Sequence, residues 1–159
     1  MLQFQGTLTP MEQDGSFGII LPQEILETIP KTRIRLRGTI QEQPFDLAIH
    51  KSKSGEKYLK ISNFLKKKCK LALGGKYQLQ FEFYSLDIVY LPEELLAALE
   101  FDPEAKNKFN QLTPGIQRSL AHYISSAVNP EVRVKRTWEL LDKVKFNQLY
   151  SQNKISKEQ

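Results

Sequence analysis

The sequence predicts an α+β protein, a duplicated small β-barrel followed by a small helical domain. Two observations carry that expectation. Residues 17–40, FGIILPQEILETIPKTRIRLRGTI, read as a strand, a short helix and an alternating strand, and residues 58–83, YLKISNFLKKKCKLALGGKYQLQFEF, read the same way. Beyond Tyr90 the alternation gives way to four helical stripes, each with a proline at its head. The expected domains are residues 1–89 for the barrel and 90–150 for the helices, with 151–159 a polar, frayed tail. No Gly/Ser-rich linker separates the two, so the helical part is expected to pack on the barrel through residues 85–90.

The elements follow in order. Leu2, Phe4 and Leu8 alternate with polar residues as in a half-buried first strand, and Asp14-Gly15 is a tight-turn pair. Pro22 suits the first position of a short helix whose Ile25, Leu26 and Ile29 share a face, and Pro30 ends it. Ile34, Leu36, Gly38 and Ile40 then point one way and Arg33, Arg35 and Arg37 the other. A turn over 41–44 leads into Phe45, Leu47 and Ile49, which makes 33–49 a hairpin. In the second copy Ser62 can cap a helix holding Phe64, Leu65 and Cys69, and Gly74-Gly75 turns into a strand with Tyr77, Leu79, Phe81 and Phe83 on one face. Six or seven short strands with two short helices suggest a closed barrel.

The four later helices open at Leu91-Pro92, Asp102-Pro103, Thr113-Pro114 and Asn129-Pro130. Their spacings give apolar stripes at Leu95, Leu96 and Leu99; at Ala105, Phe109 and Leu112; at Ile116, Leu120, Tyr123, Ile124 and Ala127; and at Val134, Trp138, Leu141 and Val144. Trp138 is therefore expected as a core anchor. Glu131 with Lys135, and Glu139 with Lys143, sit four apart on the wet side of the last helix.

Composition narrows the function classes. At 40% apolar and 26% charged the chain is globular rather than disordered. The net charge of +5 sits mostly in the first half and permits an anionic partner without demanding one. A single cysteine, Cys69, allows no internal disulfide, which fits a reducing, cytoplasmic setting. The start, MLQFQGTLTP, lacks the basic and apolar regions of a signal peptide, and no apolar run approaches the roughly 20 residues needed to span a bilayer. His50 and His122 have no second ligand at metal spacing, so no metal and no cofactor are expected. Cys69 follows Leu65 by four on the apolar side of its helix and reads as core, despite the surrounding Lys66–Lys70 run.

The second half, from the LPEELL helix through DPEAKNKFNQL to the EVRVKR helix, resembles the YdeI/OmpD-associated family of bacteriocin-protection proteins. Leu91–Leu96, Asp102–Leu112 and Glu131, Arg133 and Arg136 carry the match. Tyr123 stands where the family commonly has tryptophan, and Val128 and Val132 where lysine and threonine are usual. The first half resembles the small domain of unknown function that often precedes this one, itself similar to the double-split β-barrel of AbrB- and MazE-like proteins. The resemblance implies a bacterial, cytoplasmic, non-enzymatic binding protein connected with bacteriocin, antimicrobial-peptide or stress protection, its partner a protein or an anionic ligand and a monomer plausible.

Two residue sets are candidate ligand or phosphate contacts. Arg33, Arg35 and Arg37 recur about every 6.6–7 Å on one strand face, near the phosphate spacing of a nucleic-acid strand. That leaves a nucleic-acid-binding module as an alternative, weighed against a solvated face that discourages edge pairing. Arg133 and Arg136, one turn apart, suit a carboxylate or phosphate clamp, or else fix the last helix to its neighbours. With His122 they leave an enzyme with an interdomain site as a third reading.

Overall fold

The computed structural model describes residues 1–12, 15–149 and 152, and the chain divides into two compact units between Leu86 and Asp87. The expected tail therefore lies outside the described residues, Gln152 excepted, as does Asp14 of the first turn.

In the first unit six strands close into a barrel: β1 (Leu2–Pro10), β2 (Phe17–Ile20), β3 (Ile34–Ile40), β4 (Gln43–Lys51), β5 (Lys57–Ile61) and β6 (Lys76–Ser85). The order around it is β1-β2-β5-β4-β3-β6, every neighbour antiparallel. Closure leaves no free edge to pair with another chain. Two short helices, α1 (Gln23–Leu26) and α2 (Asn63–Lys68), join β2 to β3 and β5 to β6. Alternation turns Phe4, Leu8, Leu36, Ile40, Leu59, Leu79 and Phe81 into one buried core that also takes in Ile25 of α1 and Leu65 of α2. Phe4 and Phe81 meet edge to face at 5.8 Å.

Local chemistry explains most boundaries. Ser62 caps α2, its hydroxyl accepting from Leu65 N–H at 3.1 Å. Pro22 stands one residue earlier than expected, at the N-cap of α1, with its carbonyl receiving Ile25 and Leu26. The β3–β4 turn is shorter than the expected 41–44: Gln41 and Glu42 both take positive φ, 50° and 61°, and Pro44 already pairs with Thr39. That is the primed two-residue turn whose twist suits a hairpin, made here without glycine. Gly38 is a different case. A Cβ there would lie 1.9 Å from the Gln80 carbonyl oxygen and 2.6 Å from Phe81 Cα, so β3 and β6 approach closely only because position 38 has none.

The second unit has four helices, α3 (Glu93–Phe101), α4 (Pro103–Asn110), α5 (Pro114–Ser125) and α6 (Pro130–Lys145). Asp102, Thr113 and Asn129 cap the last three through their side chains, each followed by proline at the first helical position. Pro92, like Pro22, is itself the N-cap. α6 packs against α3, α4 and α5 around Leu95, Leu99, Phe109, Ile124, Leu141 and Val144.

The core differs from the sequence expectation at particular places. Contact on three sides makes Thr137, Leu140, Leu141 and Val144 the buried stripe of α6. The row through Val134 and Trp138 is left at its margin, 45% and 43% exposed. Leu96 and Tyr123 are likewise exposed. On the wet side the ion pair formed is Lys135–Glu139 at 3.9 Å. No helix among the described residues is long and apolar enough to cross a membrane.

Candidate binding surfaces

The arginine row lies on the outer face of β3, flanked by β4 and β6. Register puts Arg37 between Asp46 of β4 and Glu82 of β6, and Arg35 beside Tyr84. Arg35 Nε donates to Asp46 Oδ1 at 2.7 Å and to the Tyr84 hydroxyl at 3.2 Å, while its Nη2 donates to the Asp46 carbonyl at 3.1 Å. The Tyr84 hydroxyl donates to the other Asp46 oxygen. Burial and the Asp46 carboxylate push the Tyr84 phenol above its ordinary range. Arg37 Nε stands 3.3 Å from Glu82. Arg33 is exposed, its carbonyl receiving Leu86 N–H. Two of the three guanidiniums are thus held by carboxylates of neighbouring strands.

Arg133 and Arg136 converge on the C-terminal end of α5. Arg133 Nη1 donates to the Ala127 and Val128 carbonyls at 3.1 and 3.0 Å, and its Nε to Glu94 Oε1 of α3 at 2.7 Å. Arg136 Nη1 donates to the Tyr123 carbonyl at 2.7 Å and the Ser126 hydroxyl at 3.1 Å, and its guanidinium lies over the Tyr123 ring at 4.5 Å. Cations at a helix C-terminus satisfy carbonyls that have no partner within the helix. The carboxylate clamped by Arg133 is the protein's own, and that guanidinium holds the Glu94 carboxyl below its ordinary range.

Beside this ion pair opens an apolar groove of about 310 Å³, lined by Glu94, Ala97, Ala98 and Phe101 of α3 and Val134, Thr137 and Trp138 of α6. Phe101, 82% exposed, and Trp138 stand edge to face at 6.2 Å. Ala97 and Ala98 lack the bulk to fill the space between these rings and the Arg133–Glu94 pair. Sequence reasoning missed Phe101 and both alanines. The available signal was the row 94, 97, 98, 101, an i, i+3, i+4, i+7 pattern that is small in the middle and aromatic at one end.

The remaining candidates are simply placed. Cys69 is buried in the barrel core, and burial pushes its thiol upward. His50 is exposed on β4 and His122 on α5. No group of three or more His, Cys, Asp or Glu side chains suited to a metal gathers among the described residues.

Fold and surfaces together define a small closed barrel joined to a four-helix unit that carries an aromatic groove. Residues 89–145 match the family model described as Bacteriocin-protection, YdeI or OmpD-Associated. Residues 4–81 match the model of a Domain of unknown function (DUF1905). No curated protein and no solved structure matches the chain.

Proposed function

We propose that the chain is a non-enzymatic binding protein of the bacteriocin-protection type, which takes the apolar face of a cationic amphipathic peptide into the α3–α6 groove. The observation that supports this reading is the groove itself. It pairs an exposed tryptophan and phenylalanine with an apolar floor, at the small end of the range of about 300–1,000 Å³ typical of ligand sites. Charge favours a cationic occupant: α3 carries Glu93, Glu94 and Glu100 and no basic residue, and only Glu94 is in an ion pair among the described residues. The reading places the protein in the bacterial cytoplasm, where the lone buried Cys69 stays a thiol.

We also read the barrel as a duplicated, double-split one of the AbrB and MazE type. Exchanging β1 with β4, β2 with β5 and β3 with β6 maps the set of strand pairings onto itself: β1–β2 exchanges with β4–β5 and β3–β4 with β1–β6, while β2–β5 and β3–β6 map onto themselves. The caps Pro22 and Ser62, and the buried Ile25 and Leu65, then occupy equivalent places.

Trp138 is the only tryptophan, so its fluorescence reports on the groove without labelling. Titration with a cationic amphipathic helical peptide is expected to shift its emission to the blue and to saturate. Phe101→Ala should weaken binding about tenfold, the equivalent of roughly 1.4 kcal/mol. An unchanged emission spectrum at millimolar peptide would overturn the reading.

A further inference from the structure

Two ion pairs clasp α3 to α6. Arg133 reaches Glu94 at 2.7 Å near the start of both helices, and Lys145 reaches Asp102 at 3.1 Å where α3 ends. Pairs in that order make the two helices run in the same direction. The residues that line the apolar groove fall between the clasps on both helices. About 12 Å of helix separates Glu94 from Asp102, room for two turns of a helical occupant.

The outer stripe of each groove wall has the same composition. On α3, Glu93, Ala97 and Glu100 follow at helical spacing, and on α6 Glu131, Val134, Trp138 and Asp142 do the same. Each wall is therefore apolar in the middle and acidic at both ends. Because the helices run the same way, Glu93 and Glu131 belong to one end of the groove, and Glu100 and Asp142 to the other.

These corner charges are uncompensated. All four carboxylates are exposed, and none is in an ion pair among the described residues. The cations on the groove side of α6 are already engaged: Arg133 with Glu94, Lys135 with Glu139, and Lys145 with Asp102 and Glu104. Lys143 falls about 140° around the helix from Trp138, away from the groove.

The corners discriminate between occupants. A second copy docked groove to groove about a two-fold axis would set acidic ends against acidic ends. An anionic surface would be repelled. A helix with basic residues along both borders of its apolar stripe meets a carboxylate at every corner, and such complementarity gives specificity more than raw affinity.

We propose that Glu93, Glu100, Glu131 and Asp142 set the specificity of the groove, which takes about two turns of an amphipathic helix whose lysines or arginines flank the apolar stripe on both borders. An apolar anchor of that helix sits over Ala97 and Ala98. The inference rests on peptide binding in the α3–α6 groove and adds where the charges of the partner must lie.

The test compares two tryptophan-free helical peptides of one composition and one net charge, titrated into the full chain and followed by Trp138 emission. In the first, lysines border the apolar stripe on both sides; in the second, they are gathered on the opposite face. The first should bind roughly tenfold tighter at low salt, and the difference should shrink as salt rises. Glu93→Gln with Glu100→Gln, and Glu131→Gln with Asp142→Asn, should each weaken the first peptide about threefold to tenfold. The two effects should multiply when combined, with the emission shift at saturation unchanged. Glu24→Gln with Glu42→Gln removes the same charge from the barrel and should leave the affinity as it was, and thermal melts check that each variant folds. Equal affinity for the two peptides, or parental binding by both double variants, overturns the inference; groove binding itself then stands if Trp138 still shifts and Phe101→Ala still weakens the complex. No emission shift with either peptide overturns both. A dimer of the chain alone in sedimentation, with Trp138 emission already blue-shifted, overturns the inference in favour of a second copy.

Discussion

Arg35 and Asp46 lie 2.7 Å apart on neighbouring strands, and the same carboxylate receives the hydroxyl of the buried Tyr84. The guanidinium is therefore part of the barrel wall before any ligand arrives. Its side chain is only 17% exposed, so the interaction is screened less than a surface pair.

Arg35→Gln should accordingly lower the stability of the barrel by about 1–2 kcal/mol, since a hydrogen-bonded charge and a buried phenol both lose a partner. Arg33→Gln should change it by less than about 0.5 kcal/mol, as expected of an exposed residue. Chemical denaturation followed by circular dichroism checks both. Equal effects would show that the Arg35–Asp46–Tyr84 cluster contributes nothing.

Acid should weaken the helical unit through Glu94. Its carboxyl is held below the ordinary value by Arg133, so the stabilisation is present above the unfolded glutamate pKa of about 4.3. It is lost as the pH falls through the lower folded value. Asp102 acts in the same direction, its carboxyl held low by the Ala105 N–H and Lys145. Melting followed by Trp138 fluorescence should show a fall below about pH 4.5, and Glu94→Gln should remove part of it. At pH 7 that change should cost less than about 1 kcal/mol, because both partners are partly exposed.

Two backbone positions should respond in opposite directions. Gly38→Ala forces a Cβ against the β6 backbone and should cost about 3 kcal/mol or more, overpacking that no flexible side chain can relieve. Lys70 ends α2 with φ at +53°, while Leu71 N–H reaches back to the Lys66 carbonyl. That is the glycine position of a helix C-cap, and Lys70→Gly should stabilise by about 1 kcal/mol. Denaturation midpoints of the two variants on opposite sides of the parent are the expected result.

Cys69 should be inert in the folded chain. It is 1% exposed and its thiol is pushed upward by burial, so little thiolate reaches solvent near neutral pH. Labelling with a thiol reagent should be slow in buffer and fast in denaturant. Rapid native labelling would mean that the α2 end of the barrel opens readily.

Much of the fold was legible locally because the signals are local. Period-two alternation in 34–40 and 76–85, the Ser62 cap, and Asp, Thr and Asn before proline each act within a few residues, and the structure uses them as read. The four-residue turn expected after Ile40 was too long because Gln41-Glu42 carries none of the usual glycine or asparagine signal for its positive φ.

The candidate sites were legible only as residue types. The sequence by itself determined that Arg33, Arg35 and Arg37 share a strand face, that Arg133 and Arg136 share a helical turn, and that Trp138 belongs to an apolar row. Tertiary structure alone decided that Asp46 and Glu82 flank the first set, that the end of α5 receives the second, and that Trp138 stands at a groove instead of inside the core. The physical reason is that alternation and helical pitch orient a side chain relative to its own element only. Whether a charge is neutralised or a ring covered depends on partners brought from 5 to 49 residues away by strand register and helix packing.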